Sequence, residues 1–392
     1  MLQDVTAELR SEWTQHILPF WSRLKDERHG GFYGKVHVDL KTDHDAPKGG
    51  IATSRLLWTF SAAYRTTGLQ AHRELADHAY LYLTQHLLDR VYGGIYWMSS
   101  YDGLPSDTRK HIYAQAFAIY ALSEYVRATG SKAALQEAQA LFQLIESKGY
   151  DATNQAYREE FDRGWQEQPN EMLSENGVMA EITMNTHIHV LEAYTNLYRV
   201  WPDPAIRQAL EQLLTVMHER IYDPEERRLG VFFDKQWNPL LDLTSFGHDI
   251  EASWLIDDTL KTLGLEQSIY ADMVAALAYR VAESAIQSDG SLINEQEGSR
   301  RDLSRIWWVQ AEGMVGFLNA FERTGDSYFL RLVEELWQYT RGHLIDPRPH
   351  GEWYWSIDAA GTPSSLEIAG PWKCPYHNSR MCIEIIERMS AR

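Results

Sequence analysis

Apolar and polar positions along this chain fall into two helical patterns that take turns. The segment QAHRELADHAYLYLTQHLL, which begins at Gln70, carries apolar residues at Leu75, Ala76, Ala79, Tyr80, Leu83 and Leu87. That spacing draws one apolar stripe on an otherwise polar helix, as expected for a helix lying on the outside of a core. The segment TSRLLWTFSAAYRTTG is apolar nearly all round, with Leu56, Leu57, Trp58, Phe60, Ala62, Ala63 and Tyr64. AQAFAIYALSEYV, residues 114 to 126, has the same character. A helix without a polar face is predicted to be buried on every side.

A third kind of segment separates the helical ones. HGGFYGKVHVD from His29, YGGIYWMSSYDG from Tyr92, QAYREEFDRGW from Gln155, RLGVFFDKQWN from Arg228, DGSLINEQEG from Asp289 and HGEWYWSIDAAG from His350 resemble one another. Most carry a glycine or an aromatic, then alternation, then a polar turn, which is the composition of a short hairpin. They recur roughly every 60 to 70 residues, and a fixed period is the mark of a repeat architecture. Each repeat then supplies one outer helix, one hairpin and one inner helix. Six such pairs closing on themselves predict an all-α fold, an (α/α)6 barrel with short β-hairpins in the connections. An open helical array is the alternative. Closure is favoured because a closed ring needs no capping repeats. No linker or low-complexity run breaks the chain, so residues 1–392 are expected to form a single barrel domain.

The 392 residues are 44% hydrophobic and 12% aromatic, enough for a large core. The formal net charge of −18 argues against nucleic acid or an anionic membrane as the main partner. No run of 18 apolar residues is present, so no transmembrane helix is expected. The N-terminal MLQDVTAELRSEW lacks the basic and apolar regions of a secretory signal. Two cysteines, Cys374 and Cys382, cannot make a disulfide framework, and a reducing cytoplasm fits. A monomer is the expected state.

The chemistry-bearing residues gather where the inner helices begin. The first has Arg55; the second His111 and Tyr113; the third Asn185, His187 and His189. The fourth, in SFGHDIEASW, has His248 and Glu251; the fifth Trp307, Trp308 and Glu312; the sixth Trp372 and His377. Inner helices that all run the same way bring these starts to one mouth. A single histidine at a helix start is more often structural than catalytic, and His111 and His187 are read that way. His189, His248 and His377 differ because three separate helices aim them at one place. Asp249 is read as a first-turn acid favouring the helix dipole. Arg55 suits either a salt bridge at the core edge or the holding of an oxyanion. Trp308 and Trp372 suit either core packing or the apolar face of a sugar ring.

His189, His248, Glu251 and His377 could also ligate zinc or iron. No HExxH spacing is present, acids are few for magnesium or manganese, and Cys374, His377 and Cys382 lack zinc-like spacing, so no metal is expected. Glycosidic cleavage would need two carboxylates, from among Glu175, Glu251 and Glu312. Histidine dominates instead. An imidazole both takes and gives a proton near neutrality, which favours a reversible proton shuttle at carbon. A silent carbohydrate-binding barrel is the rival from another class, and it would have no need of three histidines.

The stretches SRLLWTFSAAY, KHIYAQAFAIYALSEY, LSENGVMAEITMNTHIHVLEAYTNLYR, SFGHDIEASWL, RIWWVQAEGMVGFLNA and WKCPYHNSRMC together carry a resemblance. The chain resembles the N-acylglucosamine 2-epimerase superfamily, and within it most closely the cellobiose 2-epimerases, over essentially its whole length. The resemblance implies an (α/α)6 barrel that inverts C2 of a reducing-end sugar, without a cofactor. It turns cellobiose into glucosyl-mannose and lactose into epilactose. By resemblance His248 and His377 are the catalytic acid/base pair, and His189 assists ring opening or holds the substrate. Arg55 matches the arginine near the C1 and C2 oxygens. Tyr113, Asn185, Glu251, Trp308 and Trp372 match sugar-contacting positions. Glu251, one turn from His248, is expected to orient that imidazole. A monosaccharide 2-epimerase, acting on mannose or N-acylglucosamine, and an aldose–ketose isomerase are the alternatives within the superfamily.

Overall fold

The structure is a computed structural model that describes residues 2–173 and 177–390. Helices alternate between an outer and an inner ring along the chain. The outer α1 (Leu2–Ser11) runs through a π turn into α2 (Leu18–Ser22), and the inner α3 (Gly50–Thr67) follows. Next come the pairs α4 (Gln70–Tyr82) and α5 (Ile112–Thr129), α6 (Lys132–Leu144) and α7 (Met184–Val200), and α8 (Pro204–Val216) and α9 (Phe246–Leu263). The last pairs are α10 (Tyr270–Ser284) with α11 (Trp307–Thr324), and α12 (Tyr328–Tyr339) with α13 (Tyr376–Ser390). Burial follows the two sequence patterns. Every residue of α5 from Ile112 to Tyr125 is buried, whereas α4 buries only Ala76, Ala79 and Tyr82.

The ring is closed. Each inner helix packs on the next, from α3 through α5, α7, α9 and α11 to α13, and α13 packs back on α3. Each outer helix lies on the inner helix that precedes it, and α1 lies on α13, so the two ends of the chain complete the circle. An (α/α)6 barrel is therefore the architecture, not an open array. Four inner helices stop at a glycine in the left-handed region, Gly68, Gly130, Gly264 and Gly325, a conformation that carries no Cβ penalty there.

The connections hold more β-structure than one hairpin per repeat. A tight turn comes first, bridged for example at Lys25↔Phe32 and Leu88↔Ile95. A second short hairpin follows, and its strand pairs with the two or three residues that lead into the preceding inner helix. Lys48–Gly49 pairs with Met98–Ser99, Lys110–His111 with Glu160–Phe161, and Ile182–Thr183 with Phe232–Phe233. Leu243–Ser245 pairs with Glu295–Glu297, and Arg305–Ile306 with Ser356–Ile357. The bridge Val36↔Ala369 closes this β-collar. The collar fixes where each inner helix begins, which is where the candidate site residues lie.

The fourth residue of four inner helices ties the tight turn down by accepting a backbone N–H. Gln115 accepts from Ile95 at 2.6 Å, His187 from Tyr157 at 3.1 Å, Asp249 from Leu229 at 3.0 Å and Gln310 from Leu292 at 2.8 Å. His187 is thus a joint of the repeat. Asp249 is one too: it stands in the first turn of α9, as the sequence suggested, and also accepts from the turn of its own repeat. It is fully enclosed, and burial raises its pKa to about 7. No described helix is long and apolar enough to cross a membrane.

Candidate active site

The nine residues singled out from sequence line one cavity of about 340 Å³. Arg55 comes from α3, Tyr113 from α5, Asn185 and His189 from α7, His248 and Glu251 from α9, and Trp308 from α11. Trp372 and His377 come from the entry and first turn of α13. All six inner helices contribute because their starts share the collar. Met172, Leu173, Ser245, Asn294, Glu295 and Trp355 complete much of the wall.

Each of the three histidines has its Nδ1 engaged. His189 Nδ1 meets Glu192 Oε2 at 2.8 Å, His248 Nδ1 meets Ser245 Oγ at 2.7 Å, and His377 Nδ1 meets Glu312 Oε1 at 2.7 Å. A tied Nδ1 fixes the ring and leaves Nε2 as the nitrogen able to meet a ligand. Burial holds all three below the ordinary imidazole value, with His248 and His377 each at about 3. They are neutral at neutral pH, so each can act as a base. The His248 and His377 rings both lie against Trp308, with centroids at 4.8 and 5.6 Å. Gly247 permits that approach: a Cβ there would sit 2.6 Å from the Trp308 ring.

Glu251 does not orient His248, contrary to the sequence expectation. Its Oε1 accepts from Arg380 Nη2 at 2.7 Å, and Ser245 holds the imidazole instead. Burial and the neighbouring Glu312 raise the Glu251 pKa well above the usual carboxylate range. Glu312 is held down to about 2, its burial outweighed by Arg380 and His377. Glu251, Glu312 and His377 offer ligand atoms within 4.8 Å of one another. A cation already stands among them, because the Arg380 guanidinium bonds both carboxylates at 2.7 Å. Of the carboxylates weighed for glycosidic cleavage, Glu312 stands behind His377 and off the cavity wall, and Glu175 lies outside the described residues.

Arg55 is 3% exposed and donates through Nη2 to Tyr113 Oη at 2.9 Å. Its guanidinium lies over the Phe117 and Tyr376 rings at 4.2 and 5.0 Å. Among the described residues it forms no ion pair, and its Nε has no hydrogen-bond partner. Asn185 Oδ1 is likewise buried and without one. Tyr113 brings no compensating charge, because burial raises its pKa above the ordinary phenol value. Cys374, 3.9 Å from Arg55 Nη1, and Cys382 are both free and buried.

Sequence reasoning missed Ser245, Glu192 and Arg380, and saw Glu312 without its role. A helical spacing could have found two of them. Glu192 lies three residues after His189 and Arg380 three after His377, each on its histidine's own face.

A closed barrel of helix pairs, with a cavity of neutral imidazoles and a guanidinium that meets no carboxylate among the described residues, is suited to proton transfer. Residues 31–380 match the N-acylglucosamine 2-epimerase (GlcNAc 2-epimerase) family, and the chain belongs to that family. It is 44% identical to a cellobiose 2-epimerase from Dictyoglomus turgidum, across 99% of this chain and 100% of that one. It is also 44% identical to a cellobiose 2-epimerase from Ruminococcus albus, across 97% of this chain and 98% of that one. The solved structure of cellobiose 2-epimerase from Bacillus thermoamylovorans B4167 superposes with a TM-score of 0.97 at 53% identity, covering 98% of this chain and 100% of that one.

Proposed function

We propose that the protein is a cellobiose 2-epimerase, which reversibly inverts C2 of the reducing-end glucose of β-1,4-linked disaccharides. Cellobiose becomes glucosyl-mannose, and lactose becomes epilactose. The observation that carries this reading is Arg55, a buried guanidinium without a carboxylate partner among the described residues, in a cavity that three neutral imidazoles share. An unpaired buried cation is costly unless an anion meets it. An enediolate is such an anion, and it exists only during turnover.

The sugar opens to its aldehyde, with His189 placed to assist. The C2 proton is acidified by the neighbouring carbonyl, and one of His248 and His377 removes it through Nε2. A cis-enediolate forms with its oxygens towards Arg55. At about 4 Å and an intermediate dielectric, that attraction is worth about 4 kcal/mol, or roughly a thousandfold in rate. The other histidine delivers a proton to the opposite face, which inverts the centre. Ionised Glu312 stabilises His377 when it becomes an imidazolium, and Ser245 steadies His248. Tyr113, Asn185, Glu251, Trp308 and Trp372 hold the sugar, the two indoles covering its apolar faces. The whole chain acts as one catalytic domain. Two free buried cysteines support a cytoplasmic enzyme, and we read it as a monomer.

Incubation with cellobiose in D2O, followed by proton NMR, tests the reading. The expected product is glucosyl-mannose carrying deuterium at C2. A ketose would make it an isomerase, free glucose a glycosidase, and turnover of mannose or N-acetylglucosamine alone a monosaccharide epimerase.

A further inference from the structure

Arg380 lies on α13 one turn after His377, is fully buried, and takes no part in the cavity wall. Its Nη2 donates to Glu251 Oε1 and to Glu312 Oε1, each at 2.7 Å. Its Nη1 contacts Glu192 Oε1 and the Tyr376 hydroxyl. The plane packs over Tyr376 at 4.2 Å and Trp254 at 4.6 Å. Three carboxylates from three inner helices, α7, α9 and α11, thus converge on one guanidinium from a fourth. Two of them are the Nδ1 partners of His189 and His377.

Three buried carboxylates around one buried guanidinium do not all carry charge. The geometry decides which does. Glu192 and Glu312 each have a histidine Nδ1 as a second partner and Glu192 also accepts from the Tyr376 hydroxyl, whereas among the described residues Glu251 has Arg380 alone. The first two stay ionised and Glu251 holds a proton, in agreement with the opposite directions of their shifts. Other titratable groups facing this cluster are Arg55 on α3, Tyr113 and Tyr120 on α5, His248 on α9 and Tyr376 on α13.

We propose that Arg380 is a positioning residue for the epimerisation, the common counter-ion that keeps Glu192 and Glu312 ionised so that His189 and His377 present a bare Nε2 to the sugar. It works without touching the substrate. Remove it, and Glu251 and Glu312 share a proton, Glu312 ceases to be a dependable acceptor, and His377 loses both its tautomer and the charge that stabilises its imidazolium. A catalytic histidine in the wrong tautomer keeps its place and loses its function. The two histidines are also coupled, since a proton gained by one changes the field on the carboxylate of the other through a shared cation.

The inference rests on the proposed epimerase reading, and its tests separate the two. Arg380→Lys and Arg380→Met are compared with wild type on cellobiose. The expected result is a kcat lower by on the order of 100-fold or more, a KM within about threefold, and a displaced pH profile of kcat, with lysine recovering part of the loss. Wild-type-like kcat, or a loss of activity with an unmoved pH profile, overturns it. Should neither variant fold, nitrogen-15 NMR of the histidines in the wild-type enzyme decides. His377 is expected as the neutral Nδ1–H tautomer from pH 5 to 8, and an Nε2–H tautomer or titration near 6.5 overturns the proposal. That measurement needs no substrate, so it stands even if cellobiose is not turned over.

Discussion

Two cavities at opposite ends of the barrel treat their arginines in opposite ways. At the far end, where the inner helices finish, a cavity of about 200 Å³ is rimmed by Arg65, Arg127, Arg199, Glu124, Asp258 and Glu384, among others. There each of these arginines meets a carboxylate: Arg65 pairs with Glu124 at 2.7 Å, Arg127 with the same carboxylate at 2.7 Å, and Arg199 with Asp258 at 2.6 Å. Around the collar-end cavity, and among the described residues, Arg55 has no carboxylate and Asn185 Oδ1 no donor, and three imidazoles are held neutral, although the collar around it pairs Lys48 with Asp26, Lys110 with Asp89 and Lys373 with Glu352. Compensated charge ties helices together. Uncompensated charge is retained against its desolvation cost, which makes sense where a ligand completes it. The two cavities are therefore distinguished by whether their arginines meet a carboxylate, not by composition.

The sharpest way to break this contrast is at the histidines. His248→Ala and His377→Ala should each lower kcat by about 10³–10⁴-fold with the thermal transition close to wild type. The surviving histidine should still exchange the C2 proton of one epimer in D2O without inverting it. Near-normal turnover by either variant would dismantle the two-base mechanism.

A matched pair of arginine variants tests the contrast directly. Arg55→Met should cost about 10²–10³-fold in kcat/KM while leaving stability equal or higher, since it removes a buried charge that lacks a counter-ion. Arg65→Met should do the reverse, losing about 1–3 kcal/mol in denaturant unfolding with activity per folded molecule unchanged. If both variants behaved alike, pairing would not be what separates the two cavities.

The smallest effect concerns Asp249. Its folded pKa of about 7 lies above its unfolded value, so the native state holds a proton that the unfolded chain releases. Its burial therefore weakens the fold progressively from about pH 4 to pH 7, with no further change above. Asp249→Asn keeps an acceptor for the Leu229 N–H and removes this dependence. Its melting temperature should exceed that of wild type by more at pH 8 than at pH 5. An equal difference at both values would mean the carboxyl is ionised in the fold.

Much of this was readable along the chain. Fully apolar segments such as that around Leu56–Ala63 can only be inner helices, and striped ones such as that from Gln70 can only be outer. The doubled β-structure of the connections was not readable, because pairs of two residues leave almost no period to detect. The backbone partner of Asp249 was not readable for a related reason. An acid in a first turn looks the same whether it faces solvent or accepts a backbone N–H from the turn of its own repeat.

The sequence alone determined the repeat and the alternation of rings, because helical period is a local property, and helix starts together with the family resemblance singled out the nine residues that meet at the collar. Only the tertiary structure decided the partners. It gave Ser245 to His248, sent Glu251 to Arg380, set one guanidinium among carboxylates from three helices, and left Arg55 without a carboxylate among the described residues. The period of a helix says which face a side chain occupies. Which charge it meets depends on how neighbouring helices pack, and that is settled by residues far apart in the chain.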